Sequence, residues 1–390
     1  MIARIIVPLL LMTLLPYLYV DLHYLKRKKC QWWKRLLVWL PGIGMSVYSI
    51  MLATVKGFAP SNTSVMNWYL LLLGLIVVPM FVFMLCSVIG LGICRLTKSK
   101  LNFGNLIGLL LIAGIWYIVI YGSTTGFSKV VVRHEQYASA DLPETFDGYR
   151  IVHITDFHVG TYDKSRANIL QKAVDSINAQ HADLIVFTGD LQNRDPQELY
   201  PYTKQLSSLK AKDGVYSVMG NHDYADYIKA DGLTKAANLR ETQRMERSFG
   251  WNLLLNSNDT ICRGSEHIVI AGMENDGDGK HFTRKGNIKA ALKGTSADDF
   301  IIMLEHDPTA WRRSILPEST ANLTLSGHTH ATQFKLFGWS PSSMIYSEWG
   351  GMFYEGNRAI NVSTGLGAFL PFRFGVPGEV VVITLKKIRI

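Results

Sequence analysis

Four long apolar stretches fill the first third of the chain, and shorter apolar runs follow in the rest. The long stretches are almost free of charged residues and cover residues 5–24, 36–55, 68–94 and 103–122. A helix needs roughly 17–25 mostly apolar residues to cross the hydrocarbon core of a bilayer, so each stretch predicts a membrane-spanning helix. Pro16 and Pro79 lie inside these stretches, where membrane helices tolerate proline better than soluble helices do. The pattern therefore predicts a four-helix transmembrane module over residues 1–127.

Basic residues are distributed unevenly over the loops between these spans. Six Lys and Arg lie between the first and second spans, three lie between the third and fourth, and only Lys56 lies between the second and third. Loops rich in Lys and Arg stay in the cytoplasm, so both ends of the module should face outward. Residues 128–390 are therefore predicted to be extracytoplasmic, as part of a multi-pass protein of the cell membrane.

Other interpretations of the apolar stretches are weaker. A cleavable signal peptide would need more than Arg4 ahead of the first stretch and small residues at a cleavage site after it. Core helices of a soluble protein would not explain loops that are sorted by charge. A transporter would need ionisable residues inside the spans, yet only Asp21 and His23 lie there, near one end. Anchoring is the simplest role for the module.

From about Lys129 onward, short apolar runs alternate with amphipathic stretches. The apolar runs predict strands at residues 150–155, 183–188, 214–219, 267–271, 300–304, 322–326 and 378–385. Asp163 is a candidate N-cap for a helix that runs to about Gln180. The apolar face of that helix comprises Ile169, Leu170, Ala173, Val174 and Ile177. Alternation of this kind predicts a layered α/β fold.

The net charge of +9 is located in the first third of the chain. Residues 1–127 hold 11 Lys and Arg against one acid, which gives +10, and residues 128–390 hold 29 against 30, which gives −1. A basic surface for nucleic acid is therefore not predicted, and no nucleic acid partner is expected. Only one of the four cysteines, Cys262, lies in the second part, so no disulfide within that part is predicted.

Side chains that commonly bind metals follow five of the predicted strands. The candidate ligands are Asp156, His158, Asp190, Asn221, His306, His328 and His330. Carboxylate, imidazole and amide groups together suit divalent ions such as Mn, Fe or Zn. Glycine precedes Asp190, Asn221 and His328, where it lets the backbone turn sharply and approach the site. His306 stands alone in the segment Glu-His-Asp-Pro, so its position at a strand end is the reason for including it.

The order of these motifs resembles that of the calcineurin-like metallophosphoesterase superfamily. The motifs are Asp-x-His, Gly-Asp, Gly-Asn-His-Asp, His and Gly-His-x-His, and they span residues 150–330. The segment that begins at Asn361 is similar to a bacterial membrane-associated branch of this superfamily, as is Pro371-Phe-Arg-Phe. At residues 327–333 that branch usually has Gly-His-Thr-His-Gly-Gly-Gln, whereas this chain has Ala331 and Thr332 at the two glycine positions.

The resemblance implies a fold and a set of roles for these residues. Residues 128–390 should form a β-sandwich flanked by helices, with two adjacent divalent cations. The first cation would be held by Asp156, His158, Asp190 and His330. The second would be held by Asp190, as a bridge, with Asn221, His306 and His328. His222 would donate a proton to the leaving oxygen, and Asp223 would orient its ring.

The predicted function is therefore metal-assisted hydrolysis of a phosphomonoester, a phosphodiester or a pyrophosphate, with a lipid-linked substrate left open. The alternative is a membrane sensor or scaffold that binds a ligand without turnover. Neither the metals nor the oligomeric state follows from the sequence. Other side chains that could join the site or the membrane surface are expected to be packed or solvated by default, namely His153, Arg166, Arg312, Arg313, Arg373, Trp339, Trp349, Phe353, Phe369, Phe372 and Phe374.

Overall fold

A computed structural model of the chain describes residues 2–55, 62–162, 166–279 and 283–389. The chain divides into two compact units, Met1–Thr124 and Thr125–Ile390. The predicted N-cap Asp163 and the interspan residue Lys56 lie outside the described residues.

The first unit consists of helices, several of which are joined end to end by single π-helical turns. The helices are α1 (Ile2–Val20), α2 (Trp32–Ala53), α3 (Thr63–Leu72), α4 (Val78–Thr97) and α5 (Phe103–Tyr121). With the π turns they form four continuous segments that are long and apolar enough to cross a membrane, Ile2–Leu25, Trp32–Ala53, Thr63–Thr97 and Phe103–Gly126. The four predicted spans are confirmed. The third segment begins earlier than predicted because Asn62 caps its polar first turn by accepting a hydrogen bond from the Ser64 backbone.

Polar contacts join the helices of this unit. The Arg35 guanidinium donates two hydrogen bonds to the Asp21 carboxylate, at 2.6 and 2.7 Å. Further along, the Ser87 hydroxyl lies 2.7 Å from that of Tyr19 and 2.6 Å from that of Tyr24. These contacts satisfy side chains that would otherwise be unpaired in an apolar environment.

The second unit contains two six-stranded sheets. The strands are β1 (Val130–Ser139), β2 (Arg150–Ile154), β3 (Leu184–Phe187), β4 (Val215–Ser217), β5 (Asn252–Leu253), β6 (Ser257–Arg263), β7 (Glu266–Gly272), β8 (Ile301–Leu304), β9 (Leu323–Ser326), β10 (Gly351–Glu355), β11 (Arg358–Val362) and β12 (Gly378–Lys387). Their order is β1-β12-β2-β3-β4-β5 in one sheet and β10-β11-β9-β8-β7-β6 in the other. Strands β2, β3 and β4 are parallel to one another, and so are β7, β8 and β9.

The two sheets share one apolar core, and helices cover their outer faces. The helices of this unit are α6 (Ala167–Asn178), α7 (Thr203–Leu206), α8 (Gly232–Ser248), α9 (Ile288–Ala291) and α10 (Leu316–Glu318). Alternate residues of a strand point to opposite faces. Ile151 of β2 therefore joins the core between the sheets, whereas Val152 and Ile154 pack on the side of α6. The predicted β-sandwich flanked by helices is confirmed.

The predicted helix and strands are found with small differences. The helix is α6, and the five predicted apolar positions on it are all buried. His153 of β2 is fully buried, and its two ring nitrogens lie 2.9 Å from Asn361 Oδ1 and 3.0 Å from Thr188 Oγ1. It therefore connects the two sheets.

Candidate metal centre

All seven candidate ligands lie in loops that leave the carboxyl ends of five strands. Asp156 and His158 follow β2, Asp190 follows β3, and Asn221 follows β4 in the first sheet. In the second sheet His306 follows β8, while His328 and His330 follow β9. Because β2, β3 and β4 are parallel, as are β8 and β9, each set of loops lies at one edge of its sheet. The two edges meet at the site.

One group of side chains surrounds the Asp156 carboxylate. Asp156 Oδ1 lies 3.3 Å from His330 Nε2 and 3.8 Å from His158 Nε2. The two histidine Nε2 atoms are 3.2 Å apart. One ligand atom from each of these three residues falls within 4.8 Å of the others, which is the spacing of a single cation site.

A second group adjoins the first through Asp190. Its Oδ2 atom lies 3.5 Å from His158 Nε2 and 3.2 Å from His306 Nε2. His328 Nδ1 is 3.3 Å from His306 Nε2 and 2.8 Å from Asn221 Oδ1. Asp190 therefore stands between the two groups, where a carboxylate shared by two cations would offset their mutual repulsion.

The donor atoms of the site fit divalent cations. Asp156 Oδ1 is buried and accepts no hydrogen bond from the described residues. His158 Nδ1 lies 2.9 Å from Asn193 Oδ1 and His306 Nδ1 lies 2.7 Å from the Thr188 carbonyl, so each Nδ1 carries the proton. Each Nε2 atom can then present a lone pair to a bound cation, in the case of His306 after it loses the proton that it shares with Asp190. The Nε2 atoms of His158 and His330 lie 3.2 Å apart, where two lone pairs would repel unless a cation or a proton separates them.

The charges of the site are strongly perturbed without a cation. Burial lowers the pKa of His158 to about 3 and raises the pKa of Asp156 to about 7. Burial opposes ionisation of Asp190 and His306 as well, but their mutual attraction dominates. The pKa of Asp190 therefore falls well below its usual range, while that of His306 rises well above. Bound cations would replace the positive charge of His306 in stabilising the ionised Asp190 carboxylate.

Left-handed backbone conformations concentrate at the candidate ligands. Positive φ angles occur at Asp156 (54°), His158 (45°), Asp190 (60°), His328 (73°) and His330 (49°). Residues other than glycine adopt such angles rarely, and strained backbone of this kind clusters at functional sites. The loops thus hold five ligand-type side chains inward at a conformational cost.

Two glycines allow the loops to pack closely behind these ligands. A Cβ atom at Gly220 would overlap the carboxylate and backbone of Asp190, and one at Gly327 would overlap the carboxylate of Asp156 and the hydroxyl of Thr155. Any larger residue would push the loops apart. The sequence-based expectation that glycine is needed before Asn221 and His328 agrees with this packing.

His222 lies beside both groups. Its backbone N–H donates to Asp190 Oδ1 at 2.8 Å, and its Nδ1 lies 2.7 Å from the Asn193 carbonyl oxygen. The ring stacks on Tyr227, with centroids 4.0 Å apart and planes 6° apart. The Nδ1 atom is therefore the protonated donor to the carbonyl, and Nε2 is left to exchange a proton with a bound molecule. A ring nitrogen of His222 also lies within 4.8 Å of ligand atoms of His158 and Asp190.

The comparisons with known proteins identify the family of the second unit. The profile of the calcineurin-like phosphoesterases matches residues 149–332. The metallophosphoesterase YkuE of Bacillus subtilis, itself uncharacterized, is 31% identical over 261 residues, which are 64% of this chain and 83% of that protein. The chain belongs to the calcineurin-like phosphoesterase family. The predicted family is confirmed.

Further similarity extends over the membrane unit and to other organisms. Residues 3–127 match the profile of a transmembrane domain of probable calcineurin-like phosphoesterases. A zebrafish transmembrane protein with a metallophosphoesterase domain is 27% identical over 280 residues, which are 69% of this chain and 60% of that protein. The UDP-2,3-diacylglucosamine pyrophosphatase LpxG of Chlamydia trachomatis is 26% identical over 62% of this chain and 85% of that protein. This phosphoesterase therefore has relatives that combine membrane helices with the same domain.

Asp223 of this phosphoesterase does not have the contact that we predicted for it. Its carboxylate accepts hydrogen bonds from the backbone N–H groups of Asp190 (2.9 Å), Leu191 (3.0 Å), Gln192 (3.3 Å) and Gly220 (2.9 Å). These donors occupy the carboxylate, and the His222 ring is instead oriented by the Asn193 carbonyl. Asp223 thus ties the loop after β3 to the loop after β4.

Two residues that the sequence analysis missed support the site. Asn193 accepts from His158 through Oδ1 and from His222 through its carbonyl, and its Nδ2 donates to Thr161 at 2.8 Å. Its backbone N–H donates to Glu198 Oε2 at 2.6 Å. Burial raises the pKa of Glu198 to about 7. In the sequence, the supporting role of Asn193 is indicated by its position three residues after Asp190.

Arg373 is not solvated, contrary to the default expectation. It is fully buried, and burial lowers its pKa. Its guanidinium donates to the carbonyls of Thr364, Gly365, Gly367 and Val376. Gly365 packs against Asp156, so Arg373 holds the loop after β11 against the site.

The departure from the usual Gly-Gly sequence has a conformational consequence. Ala331, Thr332 and Gln333 all have positive φ angles, of 47°, 49° and 58°, directly after His330. Glycine adopts this conformation freely, whereas alanine and threonine do so at a cost. This chain thus adopts a left-handed run at these positions without the residues that favour it.

Proposed function

We propose that this chain is a membrane-anchored hydrolase of phosphate esters that uses two divalent cations, with Mn, Fe and Zn as the candidates. The observation that carries the proposal is the convergence of seven ligand-type side chains from five strand ends, with one carboxylate, Asp190, between two groups. Bound divalent cations would supply electrostatic stabilisation of the phosphate and activation of water.

The chain's own residues then have distinct roles. Asp156, His158 and His330 would hold one cation, while Asn221, His306 and His328 would hold the other, with Asp190 available to both. His222 keeps its Nδ1 proton on the Asn193 carbonyl and uses Nε2 to give a proton to the leaving oxygen. Burial lowers the pKa of His222, and a phosphate held beside the ring would raise it again.

A lipid-linked phosphate ester or pyrophosphate is the substrate class that we favour. Four membrane helices hold this chain in the bilayer, where such substrates reside. The similarity to LpxG, whose name describes cleavage of the pyrophosphate of a diacylated sugar nucleotide, supports the same choice. Phosphomonoesters and phosphodiesters without a lipid are the alternative substrates, and the assay below includes both.

Turnover by the purified full-length chain tests the proposal. The chain is loaded with Mn²⁺ in detergent and assayed on an aryl phosphate, an aryl phosphodiester and a diacylated sugar nucleotide. We expect hydrolysis of at least one substrate, which Asp190→Ala abolishes and Asn322→Ala retains. Asn322 is a buried asparagine at the opposite end of β9 from His328, so it controls for loss of stability. Binding without turnover would favour the sensor alternative.

We also propose that the second unit is extracytoplasmic, because the basic loops of the membrane unit should face the cytoplasm. Cys262 allows a direct test since it is exposed on β6, whereas Cys30 lies in the basic loop after the first span. A membrane-impermeant maleimide should label Cys262 in intact cells and leave Cys30 unlabelled. The Cys262→Ser variant gives the background. Labelling of Cys262 only after permeabilisation would reverse the orientation.

A further inference from the structure

A loop of the second unit carries a group of exposed apolar side chains next to the metal centre. We call residues 336–345 the apolar loop. Its exposed large side chains are Leu336, Phe337, Trp339, Met344 and Ile345, and Phe337 is 99% exposed. Soluble domains rarely collect so many large apolar side chains on one short exposed segment, and such patches mark surfaces that contact a partner or a membrane.

Backbone hydrogen bonds fix the conformation at the tip of the apolar loop. Leu336 and Trp339 exchange two backbone hydrogen bonds, at 2.9 and 3.0 Å, around a two-residue turn. Both central residues of the turn, Phe337 (51°) and Gly338 (84°), have positive φ angles, as a type I′ turn requires. The turn therefore holds the Phe337 side chain at the tip, although a phenylalanine does not favour this conformation.

The base of the loop is attached to the end of the domain at which the chain enters it. The Lys335 N–H donates to the Phe374 carbonyl at 2.8 Å, and the rings of Phe334 and Phe374 stack with centroids 5.7 Å apart. Four residues after Phe374, the Gly378 N–H donates to the Lys129 carbonyl at 2.9 Å, where β12 pairs with the start of β1. Four residues of extended chain span at most about 14 Å.

The same end of the domain is tied to the bilayer by the chain itself. The last segment able to cross the membrane ends at Gly126, and β1 begins at Val130. The start of β1 therefore lies within about 14 Å of the end of a span, because four residues can reach no farther. The apolar loop and the membrane tether thus belong to one end of the second unit.

We propose that the apolar loop inserts into the lipid–water interface of the bilayer in which the spans of the same chain reside. The occupant of this surface is lipid because the tether keeps that end of the domain at a membrane. The side chains suit such a position, since tryptophan favours the interface and phenylalanine, leucine, isoleucine and methionine favour the acyl region. Lys129 is exposed just before β1, at the end of the unit that the tether holds at the membrane, where it can pair with anionic headgroups.

Insertion of the loop would bring the metal centre to the headgroup layer. His330 precedes the loop by six residues, and Tyr346, directly after the loop, faces the His328 ring edge-on with centroids 5.9 Å apart. A phosphate on an amphiphile could then enter the site while its acyl chains stay in the bilayer. This consequence for the substrate rests on the proposed function, whereas the insertion itself does not.

Spin labels on the full-length chain test the insertion. In a variant whose four cysteines are replaced by serine, single cysteines are introduced by Phe337→Cys, Met344→Cys or Leu233→Cys. Leu233 is the matched control because it is also a large apolar side chain, 85% exposed, but belongs to α8 and not to the loop. The labelled proteins are reconstituted in vesicles of phosphatidylcholine and phosphatidylglycerol, and collisions with oxygen and with a water-soluble nickel chelate are measured.

We expect the labels at 337 and 344 to collide mainly with oxygen, as in a bilayer, and the label at 233 to collide mainly with the nickel chelate. Equal access of the chelate to all three labels would overturn the proposal. Spin–spin broadening at 337 that disappears on dilution with unlabelled chains would overturn it in favour of a contact between two copies. Each result is independent of enzymatic activity.

A kinetic comparison tests the consequence for the substrate. Phe337→Asp should raise the KM for a diacylated sugar nucleotide in vesicles by at least about tenfold, because a charge opposes insertion, and should leave the turnover of a soluble aryl phosphate unchanged. Leu233→Asp should change neither. Equal effects of Phe337→Asp on both substrates would contradict a membrane role for the loop. If the parent chain hydrolyses nothing, the proposed function fails while the spin labels still report on insertion.

Discussion

Removal of the Asn193 side chain should weaken metal binding although Asn193 is not a candidate ligand. Its Oδ1 atom accepts the His158 Nδ1 proton at 2.9 Å, which fixes the tautomer that directs Nε2 at the site. In Asn193→Ala that buried N–H loses its partner, at a cost of about 1–3 kcal/mol. Loss of such a supporting contact typically lowers metal affinity by roughly 10- to 100-fold. The Asn193 carbonyl survives the substitution, so the His222 ring should keep its orientation.

The assay is a competition for Mn²⁺ between the purified chain and a fluorescent chelator, alongside a thermal melt of the metal-free protein. Asn322→Ala is the matched control, because Asn322 is also buried and accepts a backbone hydrogen bond from Ile301 at 2.8 Å. Both variants should have a lower melting temperature than the parent, and only Asn193→Ala should lose affinity for Mn²⁺. If the two variants melt alike and bind Mn²⁺ alike, the reasoning about the His158 tautomer is refuted.

Three further predictions concern the proton donor, pH and backbone strain. His222→Ala should lower turnover by about 100- to 10,000-fold while metal content measured by mass spectrometry stays unchanged; a matching loss of metal would make His222 a ligand instead. Affinity for Mn²⁺ should rise between about pH 6 and pH 8, because burial raises the pKa of Asp156 to about 7 and the raised pKa of His306 keeps a second proton that cations must displace. Calorimetry in two buffers of different ionisation enthalpy should detect this proton release, and a flat pH profile would contradict it. Thr332→Gly should stabilise the protein by about 0.5–1 kcal/mol, because it relieves a left-handed threonine at the expense of a more flexible unfolded chain. Thr260→Gly, in the exposed face of β6, should destabilise it by about 0.5–1 kcal/mol in the same denaturant titration.

The parts of the fold that the sequence predicted are those with strong periodicity or continuous apolar runs. Strands β3 and β8 are buried on both faces and are continuous apolar segments. Strands β2 and β9 are also largely buried, although they include His153 and Thr324. Strands β1, β5, β6, β10 and β11 were not predicted as strands. All but β11 are the edges of their sheets, and β1 carries exposed polar residues such as Arg133 and Gln136. Edge strands bury fewer of their residues, so their sequences lack the continuous apolar run that predicts a buried strand.

The residues of the site likewise divide into those that the sequence predicts and those that it does not. The seven candidate ligands could be predicted because carboxylates and imidazoles at successive strand ends have no structural reason to recur. Asn193 could not be distinguished from an ordinary loop asparagine, since its role depends on side chains from distant segments. The four backbone donors that occupy Asp223, and the carbonyls that surround Arg373, are likewise products of the folded chain. Such contacts join residues that are distant in the sequence, so they can be identified only from the structure.

Metal stoichiometry tests the central claim most directly. The purified full-length chain is saturated with Mn²⁺, freed of excess ion by gel filtration, and analysed by mass spectrometry together with the His330→Ala, His306→Ala and Asp190→Ala variants. The account predicts two ions per chain in the parent, fewer in either histidine variant, and none retained in Asp190→Ala, because that carboxylate lies between both groups. A parent that holds no divalent ion, or an Asp190→Ala variant that still holds two, would contradict it.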